Sequence, residues 1–400
     1  MKKVVSLFLA MVMAFGLFAC EKGSSQVQTE TTAAPAVETT QATQPALDVA
    51  ATAEDVAFLE AMYEGRQVHH GEMHDHANTG GTSDGHKTLP DWTAFMSALD
   101  MDFATIVDHK QSLHMYLPEW DQNLFIGGSE AMTLVQGLEN ASYNKMHYNM
   151  IFTDPADLEA IVTEFQEFLY IDGHFSYPTL EKERMMELVQ AIRDKGGMFV
   201  HVHPKSPDYI VSEEPLDYWF GDETGLEVFY GYSGYAPAQS STQKNYELWT
   251  DLLALGKRVW ATAGSDQHNT ANTNALTTVY TKEANAQAYL ERFRQGDFVC
   301  GPVGIRMAIG DATMGGVTSF AGKRVVFSVG DFHSTAYNSA QTYRVDLLDD
   351  QGVVFSQEFD PTQTQYFAVD AQDVAFYRVE IHNVTTGLIH AIGNPIWNEQ

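Results

Sequence analysis

The residues best equipped for chemistry begin at His69-His70-Gly71-Glu72-Met73-His74-Asp75-His76, followed by Thr82-Ser83-Asp84-Gly85. His74 and His76 stand at i and i+2 on what reads as a strand end. Alternate side chains of a strand share a face, so both imidazoles can reach one cation. Asp84 lies on a loop short enough to fold back over them, with Gly85 relaxing the turn. Neutral imidazole and carboxylate together are ligands that zinc, manganese and iron accept. Twelve of the fifteen histidines lie between positions 69 and 268, so the chemistry is concentrated in one part of the chain.

The elements that must position these groups alternate along the sequence. Leu89-Pro90-Asp91-Trp92 opens a helix, with Pro in its first turn and Phe95, Met96 and Leu99 continuing one face. Phe103–Val107 is a short buried strand ending on Asp108-His109, and Met132–Val135 is another, reaching Gly137-Leu138-Glu139. Asp154-Pro155 starts a helix that extends through Phe168. Met185, Leu188, Val189 and Ile192 share the face of the next helix, which stops at Gly196-Gly197. Met198–Val200 then runs into His201-Val202-His203-Pro204, and Leu226–Phe229 precedes a helix from Tyr246 to Leu255. Val259–Thr262 leads into Gly264-Ser265-Asp266-Gln267-His268. The pattern predicts a parallel α/β fold with His109, Glu139, His203, Asp266 and His268 at or just beyond the C-terminal ends of strands. In a barrel of βα units that rim is where strand ends converge and sites are built.

At this point the chain resembles the polymerase and histidinol phosphatase (PHP) metallohydrolase superfamily. The resemblance is carried by His74-Asp75-His76 with Ser83-Asp84-Gly85, Asp102-Phe103…Val107-Asp108-His109, Gly137-Leu138-Glu139 with His147, His203-Pro204, and Gly264-Ser265-Asp266-Gln267-His268. It implies a distorted seven-stranded (β/α) barrel with two to three divalent metal ions (Zn, Mn or Fe) at the C-terminal rim. By position, the resemblance gives one metal to His74, His76, Glu139 and Asp266. It gives a second to Asp84, His109 and His268, and a third to Glu139, His147 and His203, with Glu139 bridging and His201 competing with His203. A hydroxide generated between such ions attacks phosphorus or a carbonyl carbon. Lys110 and Lys205 follow expected ligands and could receive a phosphate or carboxylate, or be solvated. His114 and Tyr232 are further candidates for the pocket wall.

From Phe298 the texture changes. Tyr343, Val345 and Leu347, then Tyr377, Val379 and Ile381, alternate with polar residues. This period-two pattern predicts antiparallel strands and a small C-terminal β-sandwich over 299–400, after a barrel over 51–298. The join and the ending Asn394-Pro395-Ile396-Trp397 resemble the carbaryl-hydrolase-like branch of the superfamily.

At the other end, Lys2-Lys3 and an apolar run to Phe18 read as a secretory signal. Leu17-Phe18-Ala19-Cys20 resembles a bacterial lipobox, which predicts lipid on Cys20. Residues 21–50 carry no aromatic side chain and read as a disordered tether. The expected location is therefore the cell envelope, outside the cytoplasm and held by lipid alone. The net charge is −30, a field that repels nucleic acid, so the expected partner is a small-molecule substrate. The expected activity is a metal-dependent hydrolase, with phosphoester cleavage ahead of carbamate, amide or ester hydrolysis. The remaining alternative is a surface binding protein on an inactive barrel.

Overall fold

A computed structural model describes residues 49–166, 178–206, 212–230, 240–270 and 275–399. The expected signal segment with Cys20, nearly all of the tether, and Tyr232 lie outside the described residues. A helix, α1 (Ala53–Met62), precedes the strand that bears the first histidine pair, β1 (Gln67–Asp75). There follow α2 (Leu89–Leu99), β2 (Phe103–Ile106), β3 (Phe125–Gln136), β4 (Asn144–Phe152), α3 (Pro155–Glu164), β5 (Thr179–Glu181) and α4 (Lys182–Asp194). Then come β6 (Met198–Val202), β7 (Thr224–Tyr230), α5 (Ser240–Ala254), β8 (Val259–Gly264), β9 (Thr277–Thr281) and α6 (Ala286–Gln295).

The local reasons are those the sequence suggests. Thr88 and Asp91 close a reciprocal capping box at the start of α2, and the Asp154 side chain caps α3 ahead of Pro155. These caps satisfy helix N–H groups that have no intrahelical partner. Met185, Leu188, Val189 and Ile192 form the buried face of α4, and the chain leaves that helix through Gly196 at φ 82°.

In the main sheet β1, β2, β3, β4, β6, β7 and β8 are consecutive neighbours. The β1–β2–β3 and β6–β7–β8 pairings are parallel, but β4 is antiparallel to both β3 and β6, which corrects the expectation of a uniformly parallel sheet. The segment joining β3 to β4, residues 137–143, is too short for the crossover of a dozen or more residues that a parallel pair needs. Past β8 the backbone returns to β1. Asp266 N–H donates to His74 O at 2.9 Å, and His76 N–H to Gln267 O at 2.8 Å.

Register fixes where the site must fall. The last residue of β2, Ile106, is level with Gly127 of β3, and a bridge then pairs His109 with Glu130. The rim set by the end of β2 therefore crosses β3 at Glu130. Strand β3 continues to Gln136, held by β4 and by β5.

The C-terminal strands are β10 (Phe298–Cys300), β11 (Val303–Ile309), β12 (Ala312–Thr313), β13 (Val317–Thr318), β14 (Arg324–Phe332) and β15 (Tyr343–Asp349), then β16 (Gly352–Phe359), β17 (Gln365–Asp370), β18 (Phe376–Asn383), β19 (Leu388–Gly393) and β20 (Ile396–Asn398). Strand β10 pairs with β9 on one edge and β19 on the other, so the hydrogen-bonded sheet runs unbroken across residue 298. A second sheet, β12-β11-β14-β17, packs on this extension through Ile305, Met307, Phe327 and Val329 against Val345, Leu347, Val379 and Ile381. Cys300 is buried and free of disulfide, its thiol donating to Thr262 O at 3.2 Å.

Although early in the chain, α1 packs on the second sheet. Leu59 and Tyr63 meet Ala308, Val326 and Ala368, each burial stabilising by about 1.5–3 kcal/mol. Arg324 pairs with Asp55 and Arg306 with Glu60, while Ala50 bridges Phe367 of β17. Among the described residues no helix is long and apolar enough to cross a membrane.

Candidate metal centre

Three groups of buried or half-buried ligand atoms converge where β1, β2, β3, β4, β6 and β8 meet the rim. They are His76, Asp84, His109 and His268; His74, His76, Glu130 and Asp266; and Glu130, His147 and His203. Eight of the nine residues expected from sequence are thus drawn together. His74 Nε2 lies 3.1 Å from Glu130 Oε2 and 3.6 Å from Asp266 Oδ1, and His76 Nε2 is 3.1 Å from each carboxylate. Ligand bonds of ~2.0–2.2 Å set at tetrahedral angles place neighbouring ligand atoms about 3.4 Å apart, so these separations suit a cation. Asp84 Oδ2 approaches His268 Nε2 at 3.1 Å and His109 Nε2 at 3.4 Å. Its loop does fold back over the histidine pair. A Cβ on Gly85 would sit 2.5 Å from backbone carbons of both His76 and Ala77, so only glycine permits that approach.

The ninth expectation is corrected. Glu139 is exposed beyond the end of β3 and belongs to none of the three groups. Glu130 instead belongs to two of the groups, with Oε2 toward His74 and His76 and Oε1 bonded to the His147 ring. The cause is the overshoot of β3, which carries residues 131–136 past the rim. Glycine-x-glutamate occurs twice on this stretch, as Gly128-Ser129-Glu130 and Gly137-Leu138-Glu139. Only the earlier copy is level with His109.

His201 and His203 also separate. His201 pairs across β4 with Tyr148, on the face opposite His147, and stacks on Tyr218 with centroids 5.7 Å apart. Burial lowers its pKa to about 3. His203 turns into the cluster through a left-handed backbone, φ 32°, and its Nε2 lies 4.0 Å from both Glu130 Oε1 and Asp266 Oδ2. Asp266 and Lys110 also have left-handed φ, 52° each. Such conformations cost about 1–3 kcal/mol for ordinary residues and gather at functional sites.

The candidate substrate-binding residues fare differently. Lys110 is buried in the turn after His109, its backbone N–H donating to Glu130 O at 2.9 Å, and burial lowers the pKa of its amine. The Lys205 amine donates to Ser212 O at 2.6 Å and lies 4.3 Å from the centre of the Tyr218 ring. It faces a cavity of about 160 Å³ lined by none of the ligand residues. His114 is fully buried behind β3, where its Nε2 accepts from Gly128 N–H at 3.5 Å.

Two residues without an expected role stand at the centre. Glu227 of β7 accepts from His74 Nδ1 at 2.9 Å and from His203 N–H at 2.8 Å. Tyr230, at the end of the same strand, donates to Asp266 Oδ2 at 3.4 Å and lies 4.9 Å from the His203 ring. A carboxylate inside the apolar run Leu226–Phe229 is itself a signal, because Glu is rarely fully buried without a partner.

Burial opposes charge on His74, His76, Glu130 and Asp266, and their neighbours overcome it. Burial pushes His76 down, yet Asp266 and Glu130 overcome it and hold the ring at about 10. His74 is likewise raised, by Glu227, Asp266 and Glu130 against burial. Burial favours the neutral forms of Glu130 and Asp266, but the surrounding imidazoles keep both carboxylates well below their usual range. The cluster is built to hold positive charge. His76 is fully buried with Nε2 3.1 Å from both Glu130 and Asp266; a cation bound there would displace its extra proton and take the single lone pair of the neutral ring.

No protein-family model and no curated protein matches the chain. Among solved structures, an amidohydrolase from Chromobacterium violaceum aligns at 17% identity over 50% of this chain and 87% of that one, TM-score 0.35. A protein described as a metal-dependent phosphoesterase from Bifidobacterium adolescentis aligns at 14% identity over 51% and 89%, TM-score 0.35. A lesion-specific endonuclease from Pyrococcus furiosus aligns at 13% identity over 57% and 56%, TM-score 0.36. Likenesses this partial leave the ligand geometry to carry any assignment.

Proposed function

We propose that the chain is a divalent-metal-dependent hydrolase that cleaves phosphoesters of small molecules. The reading takes β1–β4 and β6–β8 as a distorted seven-stranded barrel over 51–298, joined through its sheet to a C-terminal sandwich over 299–400. The observation that carries it is Glu130, whose two oxygens face two different ligand groups. A shared carboxylate is what lets neighbouring cations sit close together. His74, His76, Glu130 and Asp266 would hold one ion, His76 or its neighbours Asp84, His109 and His268 a second, and Glu130, His147 and His203 a third. Bound there, zinc or manganese would supply Lewis acidity, lowering the pKa of water and offsetting charge on phosphate oxygens.

The protein's own residues do the rest. Asp84 and His268 are the most exposed members and form the side from which a substrate enters. Glu130 and Asp266 stay ionised in a buried setting, and Tyr230 orients Asp266 through its hydroxyl. Three adjacent cation groups suit a phosphate anion better than a neutral carbamate, and the acidic surface favours a small substrate over nucleic acid. Purified protein loaded with manganese or zinc is to be assayed on phosphomonoester, phosphodiester and carbamate substrates. Turnover of a phosphoester is expected; turnover of the carbamate alone overturns that choice. For location, we propose attachment through lipid on Cys20, which intact-mass analysis of membrane-extracted protein would reveal as an acylated N-terminus at residue 20.

A further inference from the structure

We infer that Glu227 is a positioning residue that couples two of the cation groups. This deepens the reading above and rests on it. Glu227 is 1% exposed and touches one member of each group. Oε1 accepts from His74 Nδ1 at 2.9 Å, and Oε2 accepts from the backbone N–H of His203 at 2.8 Å.

The first contact decides a tautomer. In the neutral ring that a cation would take, a proton on Nδ1 directed at Glu227 leaves the lone pair on Nε2, the atom that lies 3.1 Å from Glu130 and 3.6 Å from Asp266. A carboxylate behind a ligating imidazole also makes the ring a better base. The second contact holds a backbone turn. His203 reaches the cluster only because its φ is 32°, a conformation a non-glycine residue keeps when its surroundings enforce it. The N–H of that residue is the atom Glu227 takes.

The space for this arrangement is specified as well. Gly264, at the end of β8, lies opposite. A Cβ there would be 2.2 Å from Glu227 Oε1 and 2.5 Å from His74 Cβ. The glycine that opens Gly264-Ser265-Asp266 is thus the opening through which the carboxylate meets the imidazole. One buried side chain thereby orients His74 of the group completed by His76, Glu130 and Asp266, and His203 of the group completed by Glu130 and His147.

Glu227→Gln is the test. An amide keeps the size, but with its oxygen on the His203 N–H its NH2 meets His74 Nδ1 and forces the ring proton onto Nε2, and with the amide flipped the His203 N–H loses its acceptor. Metal-stripped full-length protein is titrated calorimetrically with Mn²⁺, with folding followed by circular dichroism. The variant should stay folded and lose roughly 10- to 100-fold in affinity at the step whose ligand it no longer positions, whereas Glu227→Ala, which removes both acceptors, should lose at two steps and His147→Ala at only one. Wild-type affinities in folded Glu227→Gln overturn the proposal. A wild-type protein that takes up no Mn²⁺ overturns the hydrolase reading instead. Should the variant fail to fold, nitrogen-15 NMR of the imidazoles in zinc-loaded wild type decides: His74 protonated on Nδ1 is expected, and protonation on Nε2 refutes the inference.

Discussion

Glu130→Gln is the sharpest probe of the centre, because it keeps the side chain's size while removing the shared charge and turning one acceptor oxygen into a donor. The carboxylate is 2% exposed, and its Oε2 lies 3.1 Å from both His74 Nε2 and His76 Nε2. At an effective dielectric of about 20, a unit charge at that separation is worth about 5 kcal/mol. Removing one partner of a buried charged set costs about 3–5 kcal/mol in practice. Carried into metal binding, that is a loss of roughly 150- to 4,000-fold in affinity, and it falls on two ligand groups at once. Elemental analysis after dialysis, beside turnover of a chromogenic phosphoester, should show two to three ions in wild type (about the count multi-metal hydrolases use). Fewer ions and no turnover are expected in the variant. Glu139→Gln is the internal control, since Glu139 is exposed and apart from the cluster. Full metal content and full turnover in Glu130→Gln would refute the bridging role, and loss of both in Glu139→Gln would restore the later carboxylate.

Other outcomes follow from single contacts. His147→Ala removes a ligand from one group only, so elemental analysis should find one ion fewer, with hydrolysis partly retained. Gly264→Ala forces a methyl against Glu227 and His74, and thermal melts should show destabilisation of about 1–3 kcal/mol. Asp55→Asn probes the α1 clamp. Burial opposes ionisation of Asp55, but Thr52 and Arg324 hold its folded pKa below the ordinary value. Its contribution, about 1 kcal/mol by analogy with capping contacts, is therefore present above the unfolded value near ~3.9 and lost as pH falls through the folded one. Urea melts should show the variant weaker at pH 7 and level with wild type at the acid end.

Much of this site was legible because the ligand types and the strand pattern point the same way. The runs before His109, His203 and Asp266 are short, apolar and bounded by turn residues, so each strand and its polar end could be read together. Glu130 escaped for a physical reason. Hydrophobic patterning reveals that Phe125–Gln136 is a strand but not the height at which its neighbours stop, and with two glycine-x-glutamate copies only register chooses between them. The antiparallel β3–β4 pair was accessible in principle, since residues 137–143 are too few for a crossover. Glu227 was visible as a misplaced charge in an apolar strand, but its partners lie 153 and 24 residues away, and sequence spacing carries no trace of them. Lys205 shows that nearness in sequence does not fix where an amine points. Lys205 follows His203-Pro204 closely, yet the chain turns and sends its amine to Ser212.

The docking of α1 on β11, β14 and β17 bears on how the protein comes into being. Residues 50–66 find most of their distant partners at 297–370, and β10 finds one of its two at β19. The strands that carry the three ligand groups lie between these contacts, so the N-terminal part of the nascent chain has no finished surface to settle on. Loop-closure entropy must be met across some 240 residues before α1 gains its contacts, which slows folding. A chain emerging from the ribosome or a translocon thus acquires its first helix's resting place among its last strands. Maturation should register as one late, cooperative step, and a nascent chain stalled before β19 should be protease-sensitive throughout.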